Sequence, residues 1–163
     1  MDATIYEIED LLLSALKAEN ESSKIYNDVS DKVDNYLLKD KFQFLAAEEN
    51  KHYTYVADVY KSHFPEKTIE LPKKTKVPLP EVTMTEDTPL SKIITQAMNA
   101  EQAASEFYKA IATRFTDDSK IQSMLLYFAD MELGHYKLLE IEQQAMQRYE
   151  EADEYWPMVH AGP

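Results

Sequence analysis

Apolar residues recur every three or four positions in four stretches of the chain, and this spacing is typical of helices that pack lengthwise on one another. The first stretch runs from Ile5 to Val33. Asp34 is a good N-cap for the second, which we expect to end before Pro65 because a proline disfavours helical geometry in the residue before it. The third stretch begins at Thr88 and Pro89, which match an N-cap followed by a proline in the first turn.

The fourth stretch follows a polar turn at residues 116–118 and continues to Met146. Between the second and third stretches, residues 65–88 contain several prolines, which indicates an extended connection. A helix of about 30 residues is about 45 Å long, and about 24 extended residues reach about 80 Å at most. This segment can therefore cross the whole length of a helical bundle.

These elements predict an all-α protein in which a long crossover joins two antiparallel helical hairpins. A short apolar tail after the fourth helix is expected to dock on the bundle, because a free tail is rarely so apolar. We expect a single domain over residues 1–163, with hairpins at about 4–63 and 88–149, the crossover at 65–88 and the tail at 150–163.

Six ionisable residues interrupt the apolar faces of these helices: Glu19, Glu49, His52, Glu101, Glu132 and His135. In the second and fourth helices the glutamate and the histidine are three residues apart, so both side chains project from one helical face. Glu-x-x-His pairs on the inward faces of a four-helix bundle are the ligand sets of di-metal sites.

The two halves of the chain repeat this arrangement. Glu19 corresponds to Glu101 at an offset of 82 residues, and the second-helix pair corresponds to the fourth-helix pair at an offset of 83. Within each predicted hairpin, the midpoint between the lone glutamate and the glutamate of the pair falls at the turn, at residue 34 or at residues 116–117. Residues equally far from an antiparallel turn lie at the same height, so the six side chains are expected to share one layer of the core.

A buried layer of four carboxylates and two imidazoles is unfavourable without compensating positive charge, and no lysine or arginine lies on the four apolar faces near this level. Two divalent cations would neutralise the four carboxylates. Glu49 and Glu132 are the expected bridging ligands, because their histidine neighbours tie each of them to one ion, and Glu19 and Glu101 are the expected terminal ligands. Mixed carboxylate and imidazole ligation suits iron or manganese, and zinc remains possible.

Two tyrosines accompany the lone glutamates. Tyr26 and Tyr108 each follow one of them by seven residues, again at an offset of 82. Two interpretations stay open: they are core aromatics, or they donate a hydrogen bond to a ligand carboxylate or take part in redox chemistry, which makes them candidate catalytic residues. The other polar candidates are expected to be exposed at the surface: Glu48, His63, Glu106, Asp130 and His160.

Composition narrows the possible functions. The net charge of −13 disfavours binding to nucleic acid or to anionic membranes, since like charges repel. The sequence has no cysteine, which excludes disulfides and thiolate metal sites within it. It shows no apolar stretch of about 18 residues and no secretion signal. We therefore expect a soluble cytoplasmic protein and, since small bundles often pair, a homodimer.

The motif formed by Glu19, Tyr26, Glu49-x-x-His52 and their counterparts in the second half resembles the ferritin-like di-iron carboxylate superfamily, and most closely its rubrerythrin branch, over residues 4–149. The resemblance implies a ferritin-like, up-down-down-up four-helix bundle, two iron ions, and chemistry with hydrogen peroxide or dioxygen. Rubrerythrins typically reduce hydrogen peroxide to water with electrons that arrive through a rubredoxin-like domain. Because this sequence has no cysteine, the electrons would have to come from a separate donor protein.

The ligand set departs from the rubrerythrin pattern at one position. Rubrerythrins carry an extra carboxylate three residues after the third-helix glutamate, where this chain has Ala104. The symmetric set that results is more like that of bacterioferritin, although Asn50 stands where bacterioferritin has its haem-binding methionine. A non-haem di-iron peroxidase is the first hypothesis. A ferroxidase or iron-binding protein, a di-manganese catalase-like centre and a structural zinc site are the alternatives.

Overall fold

The computed structural model describes residues 1–85 and 88–155, except for the side chains of residue 147 and residues 149–155. In these residues it contains four α-helices, one short 3-10 helix at Ala3–Ile5 and no strand, which confirms the all-α prediction. The α-helices are α1 (Ile8–Lys32), α2 (Tyr36–His63), α3 (Leu90–Ala112) and α4 (Ser119–Tyr155). None of these helices is long and apolar enough to cross a lipid bilayer.

The helices form two hairpins, α1 with α2 and α3 with α4, which pack against each other around two apolar clusters. One cluster, called here the upper cluster, joins the start of α1 and the end of α2 to the end of α3 and the start of α4, for example through Leu12, Tyr60, Ile111 and Leu125. The lower cluster joins the opposite helix ends. Helices α1 and α4 therefore run in one direction and α2 and α3 in the opposite direction, which is the expected up-down-down-up arrangement.

The crossover between α2 and α3 runs along the bundle from one cluster to the other. Val77 is fully buried in the upper cluster, and Leu71 and Leu79 pack against the same cluster. Val82 and Met84 pack against the lower cluster. The connection is long because α2 ends and α3 begins at opposite ends of the bundle.

The first two helix starts differ from the sequence-based prediction by a few residues. Ile5 was expected on the inner face of the first helix, but it lies in the 3-10 turn before α1 and is 72 % exposed. The cap of α2 is Asn35 and not Asp34, since the Asn35 side chain accepts a hydrogen bond from the N–H of Leu38 at 3.1 Å. Both candidates are good capping residues, and the backbone path decides between them.

The start of α3 is also shifted by one residue. Pro89 occupies the N-cap position instead of the first turn, and its carbonyl accepts hydrogen bonds from the N–H groups of Lys92 and Ile93. The hydroxyl of Thr88 does not cap the helix. It accepts a hydrogen bond from the N–H of Thr85 at 2.9 Å and so closes a turn in front of the helix.

The turn before the last helix is the predicted one, because the Asp118 carboxylate accepts hydrogen bonds from the N–H groups of Lys120 and Ile121 at 3.1 and 3.0 Å. The helix itself continues beyond the expected end, to Tyr155. The predicted tail over residues 150–163 is therefore part of α4 as far as Tyr155, and its remaining residues 156–163, on which the docking prediction depends, lie outside the described residues.

Candidate metal centre

The six predicted ligand residues meet in one layer between the upper and lower clusters. Each side chain belongs to a residue that is at most 4 % exposed: Glu19, Glu49, His52, Glu101, Glu132 and His135. Every one of the four helices contributes to the layer, so the level matching deduced from the hairpin turns agrees with the observed arrangement.

The six residues form two overlapping groups that could each hold a metal ion. One group contains Glu19, Glu49, His52 and Glu132, and the other contains Glu49, Glu101, Glu132 and His135. Within each group the candidate ligand atoms lie within 4.8 Å of one another. Each group thus offers three carboxylates and one imidazole, and Glu49 and Glu132 belong to both.

Distances to the histidines show why these two glutamates are shared. The Glu132 oxygens lie 2.9 Å from Nδ1 of His52 and 3.1 Å from Nδ1 of His135. The Glu49 oxygens lie 3.5 and 3.1 Å from the same two atoms. In contrast, Glu19 approaches only His52, at 3.7 Å, and Glu101 approaches only His135, at 3.6 Å. This is the placement expected of two bridging and two terminal ligands.

The two tyrosines each contact a terminal glutamate of the other hairpin. Tyr26, on α1, donates a hydrogen bond to Oε1 of Glu101 on α3, and Tyr108, on α3, donates one to Oε1 of Glu19 on α1. Both tyrosines are almost fully buried. Of the two interpretations left open by the sequence, the structure therefore supports the hydrogen bond to a candidate ligand.

Several buried polar atoms of the layer lack a hydrogen-bond partner among the described residues. They are Oε1 of Glu49, Oε1 of Glu132, and both Nδ1 and Nε2 of His52. Leaving such atoms unpaired in a protein interior costs about 1–3 kcal/mol each. The two carboxylate oxygens, and one ring nitrogen of His52 once the ring is neutral, offer lone pairs that a cation can use, so the residues present fit a two-metal site. Iron, manganese and zinc all accept this mixture of oxygen and nitrogen ligands.

The pKa shifts within the layer run in two opposite directions. Burial, followed by repulsion from Glu49, raises the pKa of Glu19 and likewise that of Glu101. Burial alone would lower the pKa of His52, but the nearby carboxylates of Glu132 and Glu19 outweigh this and raise the pKa to about 12. The pKa of His135 is raised for the same reason, by Glu101 and Glu132 in the first place.

The shared glutamates behave in the opposite way. Burial raises the pKa of Glu49, but its close neighbours Glu19 and the two histidines outweigh it and hold the pKa well below its usual range. The pKa of Glu132 is lowered as well, by its hydrogen bonds with the histidines and Glu101 against the effect of burial. These opposite directions favour an arrangement in which two carboxylates face two imidazolium groups when no metal ion is bound.

Two serines that the sequence analysis did not single out join the helices at this level. The hydroxyl of Ser23 donates a hydrogen bond to the carbonyl of Ala46 at 3.1 Å, and the hydroxyl of Ser105 donates one to the carbonyl of Ala129 at 2.7 Å. Each carbonyl lies three residues before a shared glutamate. The serines are related by the same offset of 82 residues as Glu19 and Glu101, so the internal repeat contained a signal for them.

One polar residue near the site is placed differently from the prediction. Glu48 was expected to be exposed, but it is only 8 % exposed and pairs with Lys51 one turn further along α2. His63, Glu106 and Asp130 are exposed as predicted, while His160 lies outside the described residues.

A pocket of about 330 Å³ leads from the surface between α1 and α3 to the layer. Its lining includes all four glutamates of the layer. The crossover residues 79–82 also line it, and the neighbouring Thr83 is held to α3 by hydrogen bonds to the Gln96 side chain at 2.9 and 3.0 Å. The candidate metal centre is therefore buried but accessible to a small molecule.

Comparison with known proteins agrees with this geometry. The rubrerythrin family model matches residues 10–142. A solved structure of a hypothetical protein from Pyrococcus furiosus is similar, with a TM-score of 0.78 and 31% sequence identity over 90% of this chain and 94% of the other. No curated protein matches the chain significantly. The matched family model spans α1 to α4 and includes all six candidate ligands, and we conclude that the chain belongs to the rubrerythrin family, within the ferritin-like superfamily.

Proposed function

We propose that this protein holds two iron ions in the layer and reduces hydrogen peroxide to water, with two electrons that arrive from a separate donor protein. The observation that carries the proposal is the position of Glu49 and Glu132, each of which faces both histidines and belongs to both four-residue groups. Membership of the rubrerythrin family supports iron as the metal and peroxide as the oxidant.

The ligand roles follow from the distances. Glu19 and His52 would hold one ion, Glu101 and His135 the other, and the two shared glutamates would bridge them. When bound, such a pair of iron ions can supply two electrons for cleavage of an oxygen–oxygen bond.

The chain's own residues prepare the site for this reaction. Tyr26 and Tyr108 fix the orientation of the terminal glutamates, because each donates its hydroxyl hydrogen to one of the two carboxylate oxygens. On the α2 and α4 side, the ring of Phe128 packs on the ring of His52 with centroids 4.3 Å apart and so keeps water away from it. The pocket between α1 and α3 leaves the carboxylate side open to peroxide.

The donor has to be separate from these 163 residues, because the sequence contains no cysteine and so offers no thiolate iron site. Overall, one hydrogen peroxide, two electrons and two protons give two water molecules. The bound ions would supply the two electrons, and the donor protein would restore them.

Rapid mixing of the anaerobic, iron(II)-loaded protein with hydrogen peroxide or with dioxygen tests the proposal. We expect oxidation of the iron to be faster with peroxide and to use one peroxide per two iron ions. Glu101→Gln, which removes a terminal carboxylate, should slow this step strongly, whereas Glu106→Gln on the exposed face of the same helix should not. Oxidation that is no faster with peroxide than with dioxygen would contradict the peroxidase proposal. Retention of many oxidised iron ions per chain would instead identify a ferroxidase.

A further inference from the structure

The pocket between α1 and α3 is larger than hydrogen peroxide requires. Its volume is about 330 Å³. A water molecule takes up about 30 Å³, so hydrogen peroxide, with two oxygen atoms, needs only about 60 Å³. Pockets of about 300 Å³ and more are typical of sites for small organic ligands. Most of this space is therefore available for something other than peroxide itself.

We propose that the pocket accepts the organic part of an uncharged alkyl or aryl hydroperoxide, whose peroxide group reaches the glutamates of the layer. This inference rests on the proposed function and extends it from hydrogen peroxide to compact organic hydroperoxides. Two features of the pocket carry it: the apolar walls and the acidic mouth.

The walls of the pocket are built from small and apolar side chains. Ala18 and Ile25 line it on α1, and Ala100 and Ala104 line it on α3. The crossover adds further apolar surface from residues 79–82, where a leucine, a proline and a valine line the pocket. Apolar walls around a few polar groups are typical of sites that bind an organic ligand in a fixed orientation. Here the polar groups are the carboxylates at the inner end.

The small residues recur in both halves of the chain. Ala18 and Ala100 each precede a terminal glutamate by one residue, and Ser22 and Ala104 each follow one by three, all at the offset of 82. A long side chain at any of these positions would project into the space that the pocket occupies. The opening is therefore a consequence of residue size on both α1 and α3.

The mouth of the pocket is acidic. Glu21, Asp28 and Glu81 line its outer part, with Lys24 as a basic residue beside them. The carboxylate of Glu21 is paired with Lys17, and the carboxylate of Glu81 lies 3.7 Å from the same ammonium group, which leaves Asp28 as the acidic residue of the mouth outside these ion pairs. Because the protein as a whole carries a net charge of −13, a substrate with its own carboxylate is repelled, and an uncharged hydroperoxide is favoured.

The reaction balances without a new reactant. Cleavage of the oxygen–oxygen bond of the hydroperoxide would consume two electrons, which the bound ions would supply and the donor protein would restore. The two oxygen fragments take up two protons from solvent, so that the products are one alcohol and one water molecule. The alcohol keeps the organic part and leaves through the pocket.

The first test compares cumene hydroperoxide with hydrogen peroxide as the oxidant of the iron(II)-loaded full-length chain. We expect both to oxidise the iron, and the ratio of the cumene hydroperoxide rate constant to the hydrogen peroxide rate constant to fall about tenfold or more in Ala104→Leu, which fills the pocket. Ala100→Leu is a second variant with the same expectation. Ala103→Leu, on the same helix outside the pocket lining, should leave the ratio unchanged.

A second test does not depend on turnover. The zinc-loaded full-length chain is titrated with 2-phenyl-2-propanol, the alcohol product, and NMR follows the alanine methyl groups. Shifts confined to Ala18, Ala100 and Ala104, and weakened by Ala104→Leu, would support the proposal. If hydrogen peroxide oxidises the iron but cumene hydroperoxide does not, or if the two pocket variants leave the ratio unchanged, this inference is wrong and the proposed function stands. If neither oxidant reacts, the proposed function itself fails.

Discussion

Loading the metal-free protein with two divalent cations should release about four protons per chain at neutral pH. In the metal-free layer the pKa values of Glu19, Glu101, His52 and His135 are all raised, and we predict that each of these groups holds a proton at neutral pH. All four must lose it to become ligands. The shared glutamates have lowered pKa values and contribute none.

The metal affinity should increase with pH. As pH rises, removal of these protons costs less free energy, so metal binding strengthens. With about two protons displaced per ion, the apparent affinity of each ion should rise about 100-fold per pH unit, as long as the free groups stay protonated. Because the pKa of His52 is raised to about 12, neutral pH lies within that range for the histidines.

Isothermal titration calorimetry with Mn²⁺ or Zn²⁺ measures this release. The same titration is run in buffers that differ in ionisation enthalpy, and the slope of the observed heat against that enthalpy gives the number of protons. Glu101→Gln should lower the count by about one, since it removes one protonated ligand, while the exposed Glu106→Gln should not change it. A count near zero in the unmodified protein would refute the proton-filled layer and the charge balance derived from it.

The hydrogen bonds and the titratable groups of the layer make three further outcomes testable. Tyr26→Phe should weaken binding of the metal ion held by Glu101 about 10–100-fold, since it removes the hydrogen bond that orients this ligand from the opposite hairpin; competition with a chromogenic chelator measures the affinity. Ser105→Ala should lower the free energy of unfolding in urea by about 1 kcal/mol, whereas Ser62→Ala, whose hydroxyl bonds only within its own helix turn, should change it less. The stability of the metal-free protein should fall as pH rises above the ordinary histidine pKa of 6.5, because above that pH the unfolded chain loses protons that the folded protein keeps. Thermal unfolding across that range, with and without metal, should show a melting-temperature difference that widens with pH.

The sequence was sufficient to predict the arrangement of the layer. A charged residue on an otherwise apolar helical face is a strong signal, and Glu19 and Glu101 carry it twice at a constant offset. The turn positions then fixed the height of each side chain within its hairpin. Both steps depend only on helix geometry, which is why they agree with the structure.

Other features depend on contacts between the hairpins, which helical periodicity does not specify. The sequence placed Tyr26 near a ligand carboxylate but gave no reason to choose Glu101 over Glu19, because that choice depends on how α1 faces α3. The cap of α2 was missed by one residue for a similar reason, since Asp34 and Asn35 have nearly equal capping preferences. Burial of Glu48 was missed because nothing in its local sequence separates it from an exposed glutamate.

The central claim is that two metal ions occupy this layer, and anomalous diffraction from iron-loaded crystals tests it most directly. We predict two iron peaks, one bound by Glu19 and His52 and the other by Glu101 and His135, with Glu49 and Glu132 in contact with both. A single peak, or iron bound elsewhere on the chain, would contradict the account.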